Sequence, residues 1–418
     1  MKESNFYKPQ WLIKLSLFKR FTVLLWVIFF IALIIKTALK PTSHSVFPVY
    51  YQAGLNWWLQ ADLYTLVPGL DYYRYSPSAA IFFSIFTNLG MLWGALIWNF
   101  CSVFIFVIGC NRFWNSIVLK TTFPPESSNG FFIIILFTAL SGLWNSQCNA
   151  FVIGLILLGT ADLFENKTLS SALFLAFAFI IKSTILPLLV LLVIARPFPL
   201  LPKLLLAIIV LFLLPFFTLP FNIVLTQYQS WYLHLINTQD GRWPGFRDAW
   251  FGIQTLKLQF SPIPFNEQVF TLPTNISYKI IQIIMGIGSA ILVLRWKCRL
   301  IPPKNINSQA DLYLRTLSIG MAWQLLFGPA SEFPTYAFLA PFLGWAWTSR
   351  NYWVRGKPLI IIAIILIMIL GWPNFSTPFK NLLPILLATL PLGTFCFATW
   401  LIFNTEKLIL QKSTDSHF

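Results

Sequence analysis

The run FTVLLWVIFFIALIIKTAL at residues 21–39 decides what kind of chain this is. Its length and almost unbroken apolarity match the roughly 20 residues that a helix needs to cross a bilayer. A secretory leader has an apolar core of about 7–15 residues followed by a small-residue cleavage site. This run is longer, no such site follows it, and a basic stretch precedes it. It reads as a retained anchor.

The same signature recurs outward from that run. Hydrophobic residues make up 57% of the 418 and charged residues 10%, against about 25% charged in soluble domains. Apolar segments fall at 21–39, 84–110, 130–145, 147–164, 169–182, 185–195, 204–220, 276–295, 311–328, 333–348, 358–371 and 381–403. The short pairs meeting near 145 and 184 suggest broken or re-entrant helices, which a membrane tolerates where protein or water satisfies the freed backbone. The expected fold is an all-α integral membrane protein with ten to thirteen transmembrane helices. Residues 1–20 would be a basic cytoplasmic N-terminus, 21–403 the membrane domain, and 404–418 a cytoplasmic tail. Two long outer loops are expected, 41–83 and 221–275.

The net charge is +16. With the N-terminus inside, nineteen of the 29 lysines and arginines fall on inner segments and nine on outer ones, Arg315 lying within a span. That is the positive-inside bias. It places both termini in the cytoplasm and leaves no basic domain for nucleic acid. The five cysteines are scattered without a CxxC pair, and with only three histidines the sequence suggests no metal site. No P-loop, GxSxG or zinc-type spacing occurs, which argues against nucleotide hydrolysis, serine hydrolysis and metalloprotease chemistry.

Function is expected on the side with the long loops. The first one, from His44-Ser-Val-Phe-Pro-Val-Tyr-Tyr-Gln-Ala-Gly54 to Arg74-Tyr-Ser-Pro77, gathers Asp62, Asp71 and Arg74 among many aromatic rings. Arginine matches phosphate bidentately, although an arginine in an interfacial aromatic belt would read the same way. Lys182, in Ile181-Lys-Ser-Thr184, can hold a phosphate as a point charge or snorkel to the interface. Glu332, in a tight apolar turn, suits a ligand contact or an arginine partner, and reads equally as a solvated turn residue. The 240–250 stretch, with two acids, two arginines and two tryptophans, can cap a site or pair internally. The amides of Ser146-Gln-Cys-Asn149 can cap a turn or bind a hydroxylated ligand.

These motifs together resemble glycosyltransferase family 87. The resemblance rests on Phe47-Pro-Val-Tyr-Tyr-Gln-Ala-Gly54, Asp62-Leu-Tyr64, Tyr73-Arg-Tyr-Ser-Pro77, Ser141-Gly-Leu-Trp-Asn-Ser-Gln-Cys-Asn149, Ile181-Lys-Ser-Thr184 and Ser331-Glu-Phe-Pro-Thr-Tyr336, in that order. It implies a GT-C-like helix bundle in the plasma membrane and a polyprenyl-phosphate sugar as donor. It also implies transfer of a hexose, mannose being expected, to a lipid or glycan acceptor, with membrane lipids as surroundings and no cofactor. Arg74 and Lys182 would hold the donor phosphate, and Tyr50, Tyr51, Tyr64, Tyr75 and Glu332 would contact sugar and acceptor. The family pattern carries an aspartate base immediately before the Phe-x-Val-Tyr run; here that position is Val46, and valine accepts no proton. Either another group substitutes (His44, Asp62 or Asp71), or the chain is a degenerate member acting as an assembly partner, or the register is shifted. A transporter of lipid-linked sugars is the remaining alternative. The mechanism predicts an outward cavity that Arg74 and Lys182 share with a carboxylate or imidazole of the first loop.

Overall fold

The computed structural model describes residues 10–121, 128–237, 275–300, 306–328, 331–349, 353–371 and 386–415. The 240–250 cluster lies outside them. The described residues form helices and connecting turns with no strand, so the expected all-α class is observed. Among the described residues, four helices are long and apolar enough to cross a membrane, and seven shorter apolar helices accompany them.

In chain order, α1 (Gln10–Leu39) leads to α2 (Phe47–Trp58) and α3 (Pro77–Thr87), then to α4 (Gly90–Ser116) and α5 (Ser128–Trp144). The middle of the chain holds α6 (Asn149–Phe164), α7 (Thr168–Ile181), α8 (Leu186–Ala195), α9 (Pro197–Leu213) and α10 (Phe221–Asn237). Beyond lie α11 (Asn275–Leu300), α12 (Ile306–Phe327), α13 (Ala340–Thr348), α14 (Trp353–Ile364) and α15 (Leu386–Asp415). Two boundaries differ instructively from the sequence reading. The first loop folds two helices of its own, each opened by a proline in its first turn, where a missing N–H costs nothing. The segment read as 84–110 starts late, because the chain turns at Gly90 with φ +75°, a conformation suited to glycine.

α6 is the centre of the bundle. Every residue from Asn149 to Phe164 is buried, as expected of a helix apolar on all faces. It packs most extensively on α4 and α7. The approach to α4 is a backbone contact: a Cβ built on Gly109 would lie 2.5 Å from the Gly154 carbonyl oxygen, and one on Gly154 would lie 2.6 Å from that of Ile105. Small residues let helices in a lipid-like interior come this close. The expected breaks are real. α5 and α6 are separated by 145–148, and α7 and α8 by a distorted turn at 182–185.

α6 and α7 therefore run antiparallel, and the bundle has two chemically different ends. One carries Asn149, Lys182 and the first loop. The other is basic and carries a cluster in which Arg112 pairs with Asp162 and, at 3.1 Å, with Glu165. Glu165 also accepts from Lys167 at 2.7 Å and from the Ser116 hydroxyl at 2.7 Å. These hydrogen bonds, Lys167 first, bring the Glu165 carboxyl down to about 2 from the ordinary 4.5. A depressed carboxyl stabilises the fold above its unfolded value and loses that contribution as pH falls toward the folded one. Glu165→Gln should therefore cost up to about 1 kcal/mol at pH 7, the range for solvent-screened pairs. Thermal unfolding in detergent should show the gap to wild type closing as pH drops below 4.5. A gap that stays constant down to pH 3 would remove the ion-pair explanation.

Candidate functional site

At the other end the first loop is pinned onto the bundle by aromatic hydroxyls. Tyr50 points from α2 into the core, its ring stacked on Phe83 at 4.3 Å and set edge-on to Trp98 and Tyr75 at about the same spacing, 5.5 and 5.4 Å. Its hydroxyl lies 3.1 Å from that of Tyr75 and accepts the Cys148 backbone N–H at 3.0 Å. Burial, with Cys148 adding to it, pushes both phenols well above their usual range, so they remain neutral hydrogen-bonding groups. Tyr64 donates to the Tyr75 carbonyl at 2.9 Å, Tyr73 to the Ser76 carbonyl at 3.1 Å, and the Ser76 hydroxyl to the Ile180 carbonyl at 2.6 Å. That last bond sets the Arg74–Ser76 segment beside the turn that carries Lys182.

Lys182 leaves the helical conformation as α7 ends (φ −135°, ψ 87°). Its ammonium donates to Asn149 Oδ1 at 2.5 Å and lies 5.3 Å from the Phe338 ring centroid. Asn149 in turn donates to Gln147 Oε1 at 2.6 Å and to the Pro334 carbonyl at 3.2 Å. The Glu332 carboxylate is close enough to act electrostatically on Lys182. Glu332 begins the short 3-10 helix Phe333–Phe338; its N–H donates to the Thr335 hydroxyl at 3.2 Å, and the Thr335 N–H donates back to its carbonyl at 2.8 Å. The 146–149 and 331–336 turns thus meet at Lys182, whose ammonium Asn149 holds, and the first loop reaches the same end through Tyr50 on Cys148 and Ser76 on Ile180. That ammonium is held by an amide oxygen and a ring face, an environment suited to an anionic ligand such as phosphate.

The other residues named from the sequence fall differently. Arg74 is half-buried between Tyr73 and Tyr75. Tyr51 packs beside Phe47 at 6.3 Å and gives its carbonyl to Thr87 at 3.1 Å. The Asp62 carboxylate closes a turn, accepting from the Tyr64 N–H at 3.1 Å and the Thr65 hydroxyl at 3.2 Å. His44 is exposed at φ +46°, and its carbonyl accepts from Lys36 at 3.0 Å. Asp71 borders a shallow cleft walled by Gln52, Asn56, Thr65 and Tyr73, and neither Arg74 nor Lys182 is among its walls.

Position 46 lies beside the cluster. Val46 precedes α2 by one residue and donates its N–H to the Asn145 carbonyl at 2.9 Å. It stands one helical turn before Tyr50, a spacing that shares a face. Among the described residues no three His, Cys, Asp or Glu side chains gather as a metal site would need.

The sequence reading offers Asn149 as a turn cap or a ligand contact. In the structure it joins three of the four converging segments. Its clue was an amide placed where an apolar hairpin reverses, a signal indistinguishable from an ordinary cap until its partners are seen.

No curated protein matches the chain. Residues 73–308, more than half of it, match the sequence profile of glycosyltransferase family 87. The match takes in Tyr73–Pro77 of the quoted motifs, the 141–149 hairpin and Lys182, and it leaves Val46 and the 331–336 turn outside. The helical membrane fold and the meeting of these motifs agree with it: the chain belongs to glycosyltransferase family 87.

Proposed function

We propose that this protein transfers a hexose, mannose being the expected sugar, from a polyprenyl-phosphate donor to a lipid or glycan acceptor. The observation that carries the reading is that three sequence-distant segments, the first loop and the 146–149 and 331–336 turns, gather beside Lys182. The site end lies opposite the Arg112–Glu165 end. By the distribution of lysine and arginine it faces away from the cytoplasm, in a plasma-membrane protein of GT-C type with both termini inside. The donor's lipid tail would lie along the helices, with its phosphate against Lys182 and Arg74; Tyr50, expected to contact the sugar, is fully buried and braces the site from within.

Glu332 is the carboxylate that this cluster supplies, and we assign it the role of base. It takes the proton from the acceptor hydroxyl as that oxygen bonds to the anomeric carbon. The bond from that carbon to the phosphate oxygen breaks, and its electron pair leaves with the polyprenyl phosphate. Lys182 and Arg74 stabilise the charge that develops there, the kind of preorganised electrostatics that dominates many active sites.

A membrane assay with radiolabelled polyprenyl-phosphate sugars tests the reading. Lys182→Ala and Arg74→Ala should each weaken donor binding by about 1.5–3 kcal/mol, the range for charge-assisted contacts. Arg74→Lys should restore part of it, since the planar fork is lost. Two alanine variants that bind donor like the parent would refute the phosphate site. Val46 favours one second reading, a family member that binds lipid-linked sugar as an assembly partner without transferring it. Donor binding with no labelled product from any acceptor fraction would support that reading.

A further inference from the structure

The opposite end of the bundle holds a second group of cations whose chemistry the transfer reaction does not use. Arg196 donates to Asn166 Oδ1 at 2.7 Å and also reaches the Tyr313 hydroxyl. Lys203 donates to the Thr168 hydroxyl, and Lys297 to the Ile194 carbonyl at 2.9 Å. The anchoring points are close in sequence, 166 and 168 in one turn and 194 and 196 in the next, so the three cations share one region. Every acceptor here is neutral. Arg112 and Lys167 at the same end are matched by Asp162 and Glu165, yet no carboxylate among the described residues pairs with Arg196, Lys203 or Lys297. An arginine has five donors and a lysine three, so these contacts leave donors over for a ligand.

The surroundings say what kind of ligand fits. Lys203 lies on α9 and Lys297 on α11, and both helices turn apolar side chains outward along their length. Leu205, Leu206 and Ile209 are each more than half exposed on α9, as are Ile284, Ile287 and Ile291 on α11. A ligand for this place carries negative charge at one end and hydrocarbon at the other.

We propose that Arg196, Lys203 and Lys297 form a binding site for the phosphate of an anionic phospholipid, with its acyl chains along the exposed faces of α9 and α11. The site is separate from the sugar-transfer cluster, roughly 20 Å away along α7 at about 1.5 Å per residue. It tethers the basic end of the bundle to an anionic leaflet.

The test is lipid retention. Purified protein in nanodiscs of mixed phosphatidylcholine and phosphatidylglycerol is released and its bound lipids are counted by native mass spectrometry. Each juxtamembrane cation contributes roughly a fivefold preference for anionic lipid, so the combined Arg196→Gln, Lys203→Gln and Lys297→Gln variant should lose roughly a hundredfold. Lys40→Gln, an exposed cation beyond the other end of α1, is the control and should lose no more than the roughly fivefold of one cation. Inorganic phosphate at millimolar concentration should not displace the lipid; displacement would identify a soluble phosphate as the ligand and overturn the proposal. So would equal retention of the two lipids by the wild type, or undiminished phosphatidylglycerol on the triple variant. Should the triple variant fold poorly, Lys203→Gln alone gives up a single hydroxyl contact and should still show a severalfold loss; wild-type retention there would also count against the site.

Discussion

Glu332→Gln should lower sugar transfer by about 10²–10⁴-fold, the usual contribution of a general base, while donor binding stays within a few-fold of wild type. Glutamine keeps the shape and the hydrogen-bonding turn but cannot take a proton at neutral pH. The informative partner is Val46→Asp. In the wild-type background it should change little, because a base is already present. In the Glu332→Gln background an aspartate at 46 stands one turn from Tyr50 and beside the 145–149 turn, and it should recover a measurable part of the loss. Unimpaired turnover in Glu332→Gln would return the role to His44, Asp62 or Asp71, each testable by His44→Ala, Asp62→Asn or Asp71→Asn. A large gain from Val46→Asp alone would instead show that the natural protein works without an effective base.

The second large effect is on stability. Gly154→Val should destabilise the fold by about 3 kcal/mol or more, the upper range for overpacking. The first added carbon would meet the Ile105 carbonyl oxygen at 2.6 Å and the Phe106 Cα at 2.9 Å. Both are backbone atoms of α4, so no side chain can rotate away and the two helices must separate. Gly109→Val meets the same obstacle from the other side. Gly288→Ala is the control: a Cβ there meets nothing within 4 Å, and alanine should gain about 0.5–1 kcal/mol through helix propensity. Thermal unfolding in detergent reads all three, and a Gly154→Val protein as stable as wild type would mean that α4 and α6 are not in this contact.

Much of this architecture was legible in the sequence because apolar run length reports directly on a lipid-like environment. The breaks near 145 and 184 were visible too, since Asn145, Gln147, Asn149 and Lys182 interrupt otherwise continuous hydrocarbon. The helix of residues 47–58 was not. It carries Gln52 and Asn56 on one face, bonded to each other at 2.8 Å, so by polarity it reads as a loop, and it is folded by Tyr50 on another face packing on Phe83 and Trp98. The role of Asn149 stayed hidden for a related reason. Its partners Lys182 and Pro334 lie 33 and 185 residues further along, and no local pattern encodes contacts of that range. Asp62 shows the converse: its acidity attracted notice, whereas its bonds to Tyr64 and Thr65 are those of a turn.

That long reach of Asn149 sets an order of events during biosynthesis. The ribosome delivers Tyr50, Asn149 and Lys182 well before Pro334. At about 5–20 residues per second, the stretch between Tyr50 and Glu332 takes roughly 15–60 s to emerge. During that interval the first loop can dock on α6 and α7, but the Pro334 carbonyl that receives the Asn149 amide does not yet exist. A ribosome stalled before residue 331 would therefore leave a nascent chain in which the Lys182 cluster lacks its last segment. Such a chain should be inactive even when its earlier helices are fully inserted.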